Sequence, residues 1–160
     1  MENPAIGELF VVVAALGPLE AGTSFGRREW PAHVTLASNF FLTESLEQVV
    51  SAVSKICDGL GPIAITFTHR AMFGPHRDIP VRLVESTQVC ELHQRLADLL
   101  QDLPGFRASE PEHWRAGYRP HMTEVPDAEF EKGDRAQLAY LAVATLTKRD
   151  ATIVGTLTLW

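Results

Sequence analysis

Two six-residue segments of this chain, Trp30-Pro31-Ala32-His33-Val34-Thr35 and Tyr118-Arg119-Pro120-His121-Met122-Thr123, repeat one pattern. Each has an aromatic residue, a proline shortly before a histidine, and a threonine two positions after it. An extended chain turns residues i and i+2 to the same face. Each segment therefore predicts a strand that presents an imidazole beside a hydroxyl and sends Val34 and Leu36, or Met122, toward the core. Imidazole titrates near neutrality, so two such pairs facing one phosphate supply a base, an acid and two hydrogen-bond donors without a metal. The remaining histidines, His69, His76, His93 and His113, lack this context. His93 falls beside the apolar stripe of a predicted helix and reads as structural.

The segments around the two motifs read as short strands and two helices. Leu9 to Leu16 is a Val-rich apolar run broken by Gly17-Pro18, the pattern of a buried strand. A loop over 21–31 leads to a strand at about His33 to Leu42. Thr43 is the expected start of a helix whose stripe is Leu46, Val49, Val50, Val53, Ile56, Cys57 and Leu60, with Glu44 and Glu47 in its first turn. Strands follow at Ile63 to Phe67, extending toward Phe73, and at Val81 to Val84. Ser86 or Thr87 caps a second helix marked by Val89, Leu92, Leu96, Leu99, Leu100 and Leu103. The tail predicts strands at 138–147 and 152–160, turned at Lys148-Arg149-Asp150. The order is β, β, α, β, then β, α, β, β, β, an imperfect repeat in which each half pairs a helix with one motif strand. Long loops at 21–32 and 105–120 both end at a motif, which places gripping segments at the mouth of one cleft.

A chain of 160 residues supports one well-buried domain, read here as a single domain, 1–160, with two lobes. Its 14 basic and 20 acidic residues give a formal charge of −6, which argues against a surface that traps long duplex nucleic acid and points to a short substrate or a chain end. Arg27, Arg28, Arg115 and Arg119 flank the motifs and suit a phosphate-binding rim. Trp30 and Tyr118 can either stack on a base or pack in the core and between the lobes. Cys57 and Cys90 sit in helical patterns without metal or redox spacing, and are expected to be buried thiols in a reducing, cytoplasmic setting. The run after Glu2 and Glu8 lacks a basic leader region, and no segment approaches the ~18 apolar residues of a membrane helix, so a soluble protein with no membrane partner is expected. A monomer is the expected state, although nothing in the sequence pattern fixes it. No HxxH or CxxC pattern occurs, so a metal site is not expected, and neither is a serine or cysteine nucleophile.

The two His-x-Thr motifs, their separation of 88 residues, the strand-like segments between and after them, and the compact length resemble the 2H phosphoesterases. That family includes RNA 2′,3′-cyclic phosphodiesterases, 2′-5′ RNA ligases and 2′-5′ oligonucleotide phosphodiesterases. The resemblance implies an α+β fold of two similar lobes, two antiparallel sheets with flanking helices around a central cleft. It implies catalytic roles for His33, Thr35, His121 and Thr123, no cofactor, and a small nucleotide or RNA end as substrate. Trp30, Tyr118, Arg119, Arg115 and Arg27 are the expected substrate-binding residues. The activity implied is metal-independent hydrolysis of a 2′,3′-cyclic phosphate; cleavage or ligation of 2′-5′ linkages, or a non-catalytic nucleotide-binding module, are the alternatives. Glu124 departs from the family pattern, which has an apolar residue after the second threonine. Either the strand ends or bulges there, or the carboxylate finds a partner.

Overall fold

The computed structural model describes residues 7–126 and 129–160; Glu2 lies outside them. The described residues form an antiparallel sheet with two helices. The strands in chain order are β1 (Glu8–Ala15), β2 (Ser24–Gly26), β3 (His33–Leu42), β4 (Ile63–Phe73), β5 (Ile79–Glu85), β6 (Arg107–Ala108), β7 (His121–Thr123), β8 (Arg135–Leu138), β9 (Tyr140–Leu146) and β10 (Asp150–Thr158). The helices are α1 (Leu46–Cys57), between β3 and β4, and α2 (Thr87–Gln101), between β5 and β6. Two single turns of 3-10 helix, Pro111–His113 and Arg115–Gly117, lie in the loop that leads to β7.

Where two sheets are expected, hydrogen bonding joins the strands into one, in the order β2-β10-β9-β1-β3-β7-β5-β4-β8, with β6 added on β3. The junction is narrow. β3 meets β7 through the single antiparallel pair Val34 and Met122, whereas β7 is tied to β5 by three pairs.

The unbroken Val run of β1 follows from burial on both faces of the sheet. Phe10, Val12 and Ala14 join the main core with Val34, Leu36, Met122 and the inner stripes of α1 and α2. Val11 and Val13 point the other way, into a smaller cluster with Ala142, Ala144 and Ile153 that Leu19, Phe25 and Trp30 partly cover. α1 packs on β10, and α2 packs on β3 and β4. Gly155 makes the first contact possible, because a Cβ there would stand 2.5 Å from Val50.

Ser45, rather than Thr43, caps α1. Its hydroxyl accepts from the Gln48 amide and the Gln48 side chain returns to the Ser45 N–H, a reciprocal cap that starts the helix later than expected and leaves Glu44 outside it. Ser86 caps α2 as expected. Cys57 is buried, but Cys90 is exposed, away from the buried stripe of α2. No helix among the described residues is long and apolar enough to cross a membrane.

Candidate active site

The Val34–Met122 pair sets the geometry of the motifs. Both residues are buried on the helix side. Continuing their register places His33 across from Thr123 and Thr35 across from His121, with all four side chains on the face away from the helices. Directly opposed residues on such a pair are about 5 Å apart and diagonal ones about 7–8 Å apart. The imidazoles thus occupy one diagonal of a small rectangle and the hydroxyls the other.

Both imidazoles are held in the same way. Nδ1 of His33 lies 2.8 Å from the carbonyl oxygen of Pro31, and Nδ1 of His121 lies 2.7 Å from that of Arg119. A carbonyl only accepts, so each Nδ1 carries the proton and donates it. Each Nε2 then has no partner among the described residues, and is a lone pair in the neutral ring and an N–H donor in the charged one. An aromatic ring stands against each imidazole: Trp30 at 4.7 Å from His33 and Phe73 at 4.5 Å from His121, between centroids. Burial draws the pKa of His33 down to about 4, the Pro31 carbonyl opposing it and the charge of His121 adding to it. Burial also lowers His121, against the Arg119 carbonyl, with the charges of His113 and Arg119 contributing.

A cavity of about 640 Å³ opens beside these residues. His33, Thr35 and Thr123 line it directly; His121, next to Phe73, stands just outside the lining. Its floor is apolar, made by Val11, Val13 and Leu146. Arg27, Arg28 and Trp30 form one lip, and His76 with the Ile79-Pro80 start of β5 forms the other.

Of the residues expected to bind substrate, Trp30 and Arg27 line the cavity, although Arg27 also donates to the Thr147 carbonyl at 3.2 Å. Arg119 lies over the Phe73 ring at 5.1 Å, close to His121. Arg115 and Tyr118 are elsewhere. The Arg115 guanidinium is bound by Gln94, Asp98 and Gln101 of α2, three acceptors about one helical turn apart that hold it away from the cavity. Tyr118 packs against the main core, its ring stacked on His93 at 3.9 Å and its hydroxyl donating to the Thr35 carbonyl at 2.7 Å. Burial raises its pKa far above the usual phenol range.

Sequence reasoning passed over Asn39 and His76, which line the cavity, and Phe73, which packs on His121. Asn39 returns to the face of His33 and Thr35 only because two irregularities in the β1–β3 ladder cancel, with Ala37 between them in the main core, so simple alternation could not place it. His76 and Phe73 carried no local signal, because only the β4–β5 hairpin brings them across.

Glu124 both follows the strand's end and finds partners. β7 ends at Thr123, and the carboxylate lies 2.7 Å from Arg70 and 3.9 Å from Arg82. Those arginines oppose each other on β4 and β5, so Glu124 offsets the repulsion of two like charges. Glu124→Gln is expected to cost about 1–2 kcal/mol of stability in urea denaturation. An unchanged midpoint would show the bridge to be idle.

Among the described residues, the group suited to a metal ion is Glu110, Glu112 and His113. All three are exposed, His113 is already paired with Glu110 at 2.9 Å, and none lines the cavity.

Residues 13–158 match the model of a family described as the 2′-5′ RNA ligase superfamily. No curated protein matches the chain by sequence. Among solved structures, one described as a phosphoesterase shares the fold at 16% identity and a TM-score of 0.55, over 96% of this chain and 98% of that one. TT0787 of Thermus thermophilus does so at 16% identity and 0.56, over 95% and 97%. Escherichia coli LigT complexed with 3′-AMP does so at 16% and 0.52, over 96% and 98%. At these identities the likeness is one of fold.

Proposed function

Because the chain belongs to the 2′-5′ RNA ligase superfamily, we propose that it is a metal-independent 2H phosphoesterase that hydrolyses the 2′,3′-cyclic phosphate of an RNA end or a small nucleotide. The observation that carries this reading is the matched pair of imidazoles, each with its Nδ1 proton committed to a carbonyl and its Nε2 left free on one face of the sheet.

In the proposed reaction, Nε2 of neutral His33 takes a proton from water as its oxygen attacks phosphorus. The bond from phosphorus to the 3′ oxygen breaks, and Nε2–H of charged His121 protonates that leaving oxygen, giving a 2′-monophosphate. The Thr35 and Thr123 hydroxyls donate to the non-bridging oxygens as charge builds on them. His33 is assigned as the base because its lowered pKa keeps it neutral over most of the working range. With a 5′ hydroxyl in place of water the same step forms a 2′-5′ linkage, and in the reverse of that step the two histidines exchange roles as the linkage is cleaved to the cyclic phosphate.

The cavity suits a nucleotide at both ends. Arg27 and Arg28 on its lip complement phosphate, and the Val11, Val13 and Leu146 floor with the half-buried Asn39 offers an apolar bed and a polar edge for a base. The 3′-AMP and NADP+ complexes of LigT are of the same ligand class.

The test is incubation, in excess EDTA, with 2′,3′-cyclic nucleotides and a short RNA bearing a 2′,3′-cyclic phosphate, followed by phosphorus NMR. A 2′-monophosphate product, absent with His33→Ala, is expected. No turnover of either, with 2′-5′-linked oligonucleotides cleaved instead, would move the activity to that linkage. Binding with no turnover of any of them would make the chain a nucleotide-binding module.

A further inference from the structure

We infer that His93 and Tyr118 form a buried positioning unit that holds the two motif strands at their working separation, an inference that rests on the two-histidine reading above. The need for one is visible in the sheet. β3 and β7 share a single pair, and the residue that would extend that ladder opposite Leu36 is Pro120, which has no N–H to give. On its other side β3 is irregular: Val13 pairs with Thr35 and Val12 with Ala37, so Leu36 is the extra residue of a β-bulge next to Thr35. Carbonyls released in this way need other donors.

Two side chains supply them. Nδ1–H of His93, fully buried on α2, donates to the Leu36 carbonyl at 2.7 Å. The Tyr118 hydroxyl donates to the Thr35 carbonyl at 2.7 Å. The two rings lie face to face, 3.9 Å apart and 4° from parallel. The other edge of His93 reaches the second motif: its Nε2 accepts from the backbone N–H of Arg115, at 3.0 Å, in the loop that delivers β7. Arg115 is one of two non-glycine residues with positive φ among those described, at 60°, a conformation that persists only when its surroundings impose it. Its guanidinium fork on α2 does so from one side and His93 from the other.

His93 therefore bonds to strand β3 through one nitrogen and to the approach to β7 through the second, an arrangement that only the neutral imidazole satisfies. Tyr118 ends the loop's last 3-10 turn, three residues before His121, and fixes that approach directly to Thr35. Neither residue lines the cavity, so both act through the placement of Thr35 and His121.

The variants are Tyr118→Phe, His93→Leu and His93→Gln, assayed for kcat and KM on the cyclic-phosphate RNA alongside thermal melting. Tyr118→Phe keeps the stacked ring and removes the hydroxyl; it is expected to lower kcat about tenfold with KM within about twofold, since small misplacements of reacting groups weigh on the chemical step. His93→Leu is expected to lose more. His93→Gln, which offers a donor and an acceptor, should recover most of the difference. Wild-type kcat in Tyr118→Phe would overturn the inference even if His93→Leu fails to fold. Should wild-type protein turn over no cyclic phosphate, the functional reading falls while positioning is read from the ¹⁵N shifts of the His33 and His121 rings. Tyr118→Phe should move them, and unmoved shifts would overturn the inference.

Discussion

His33→Ala is expected to lower kcat on a 2′,3′-cyclic phosphate by about 10²–10⁴-fold, the range for loss of one positioned acid or base. The same loss is expected for His121→Ala. Each imidazole is held with one nitrogen bound to a carbonyl two residues back and the other without a partner among the described residues, so truncation removes that Nε2 and little else that the reaction needs. The fold should survive, because both residues are only half-buried and each ring makes one hydrogen bond to its own turn. A stability loss of about 1 kcal/mol per variant is expected from that bond, readable as a small shift in melting temperature. Activity within about tenfold of wild type in either variant would remove that histidine from the chemistry. Collapse of the fold in both would make the pair a structural feature of the sheet.

The second large effect is in the pH dependence of kcat/KM, expected to be a bell with its optimum on the acid side of neutrality. The rising limb belongs to the base, which must be neutral, and should have its midpoint near pH 4, where burial has drawn His33. The falling limb belongs to the acid, which must be charged. Burial lowers His121 as well, so this midpoint should fall below the ordinary 6.5. Both midpoints are properties of the interacting pair, since the charge of His121 contributes to the lowering of His33. The residual activity of His121→Ala assigns the roles: it should keep the acid limb and lose the alkaline one. A single-limbed profile in the wild type, or an optimum on the alkaline side of neutrality, would contradict the two-histidine account.

The strands that carry the motifs were legible because period-2 alternation acts through the nearest neighbours, and Val34, Leu36 and Met122 are buried as it requires. Both helices were legible from their apolar stripes. β2, β6 and β8 were not, for two to four residues give no period to count unless, as in β7, a motif marks them, and β8 fully buries only Leu138. The joining of both halves into one sheet rests on one residue pair, which leaves no trace in either segment.

The aromatic residues at matched positions show where a local pattern stops being informative. Trp30 and Tyr118 both precede a histidine by three residues, yet Trp30 stands against His33 at the cavity while Tyr118 packs on the main core. Which side of a sheet an incoming loop takes depends on what waits there. For Tyr118 that is His93 and a carbonyl released beside a bulge, both distant in sequence. Its place beside the second imidazole is taken by Phe73, from the β4–β5 hairpin. Arg115 was misread for a similar reason, since its acceptors lie on the outer turns of α2.

The central claim, that His33 and His121 grip one phosphate through Nε2, is tested most directly by titrating adenosine 2′-monophosphate into ¹⁵N-labelled protein and following both imidazoles by NMR. One equivalent should shift both Nε2 resonances together and raise both titration midpoints, while both Nδ1 protons stay bound to their carbonyls. A response from one ring alone, or saturation at two independent equivalents, would contradict it.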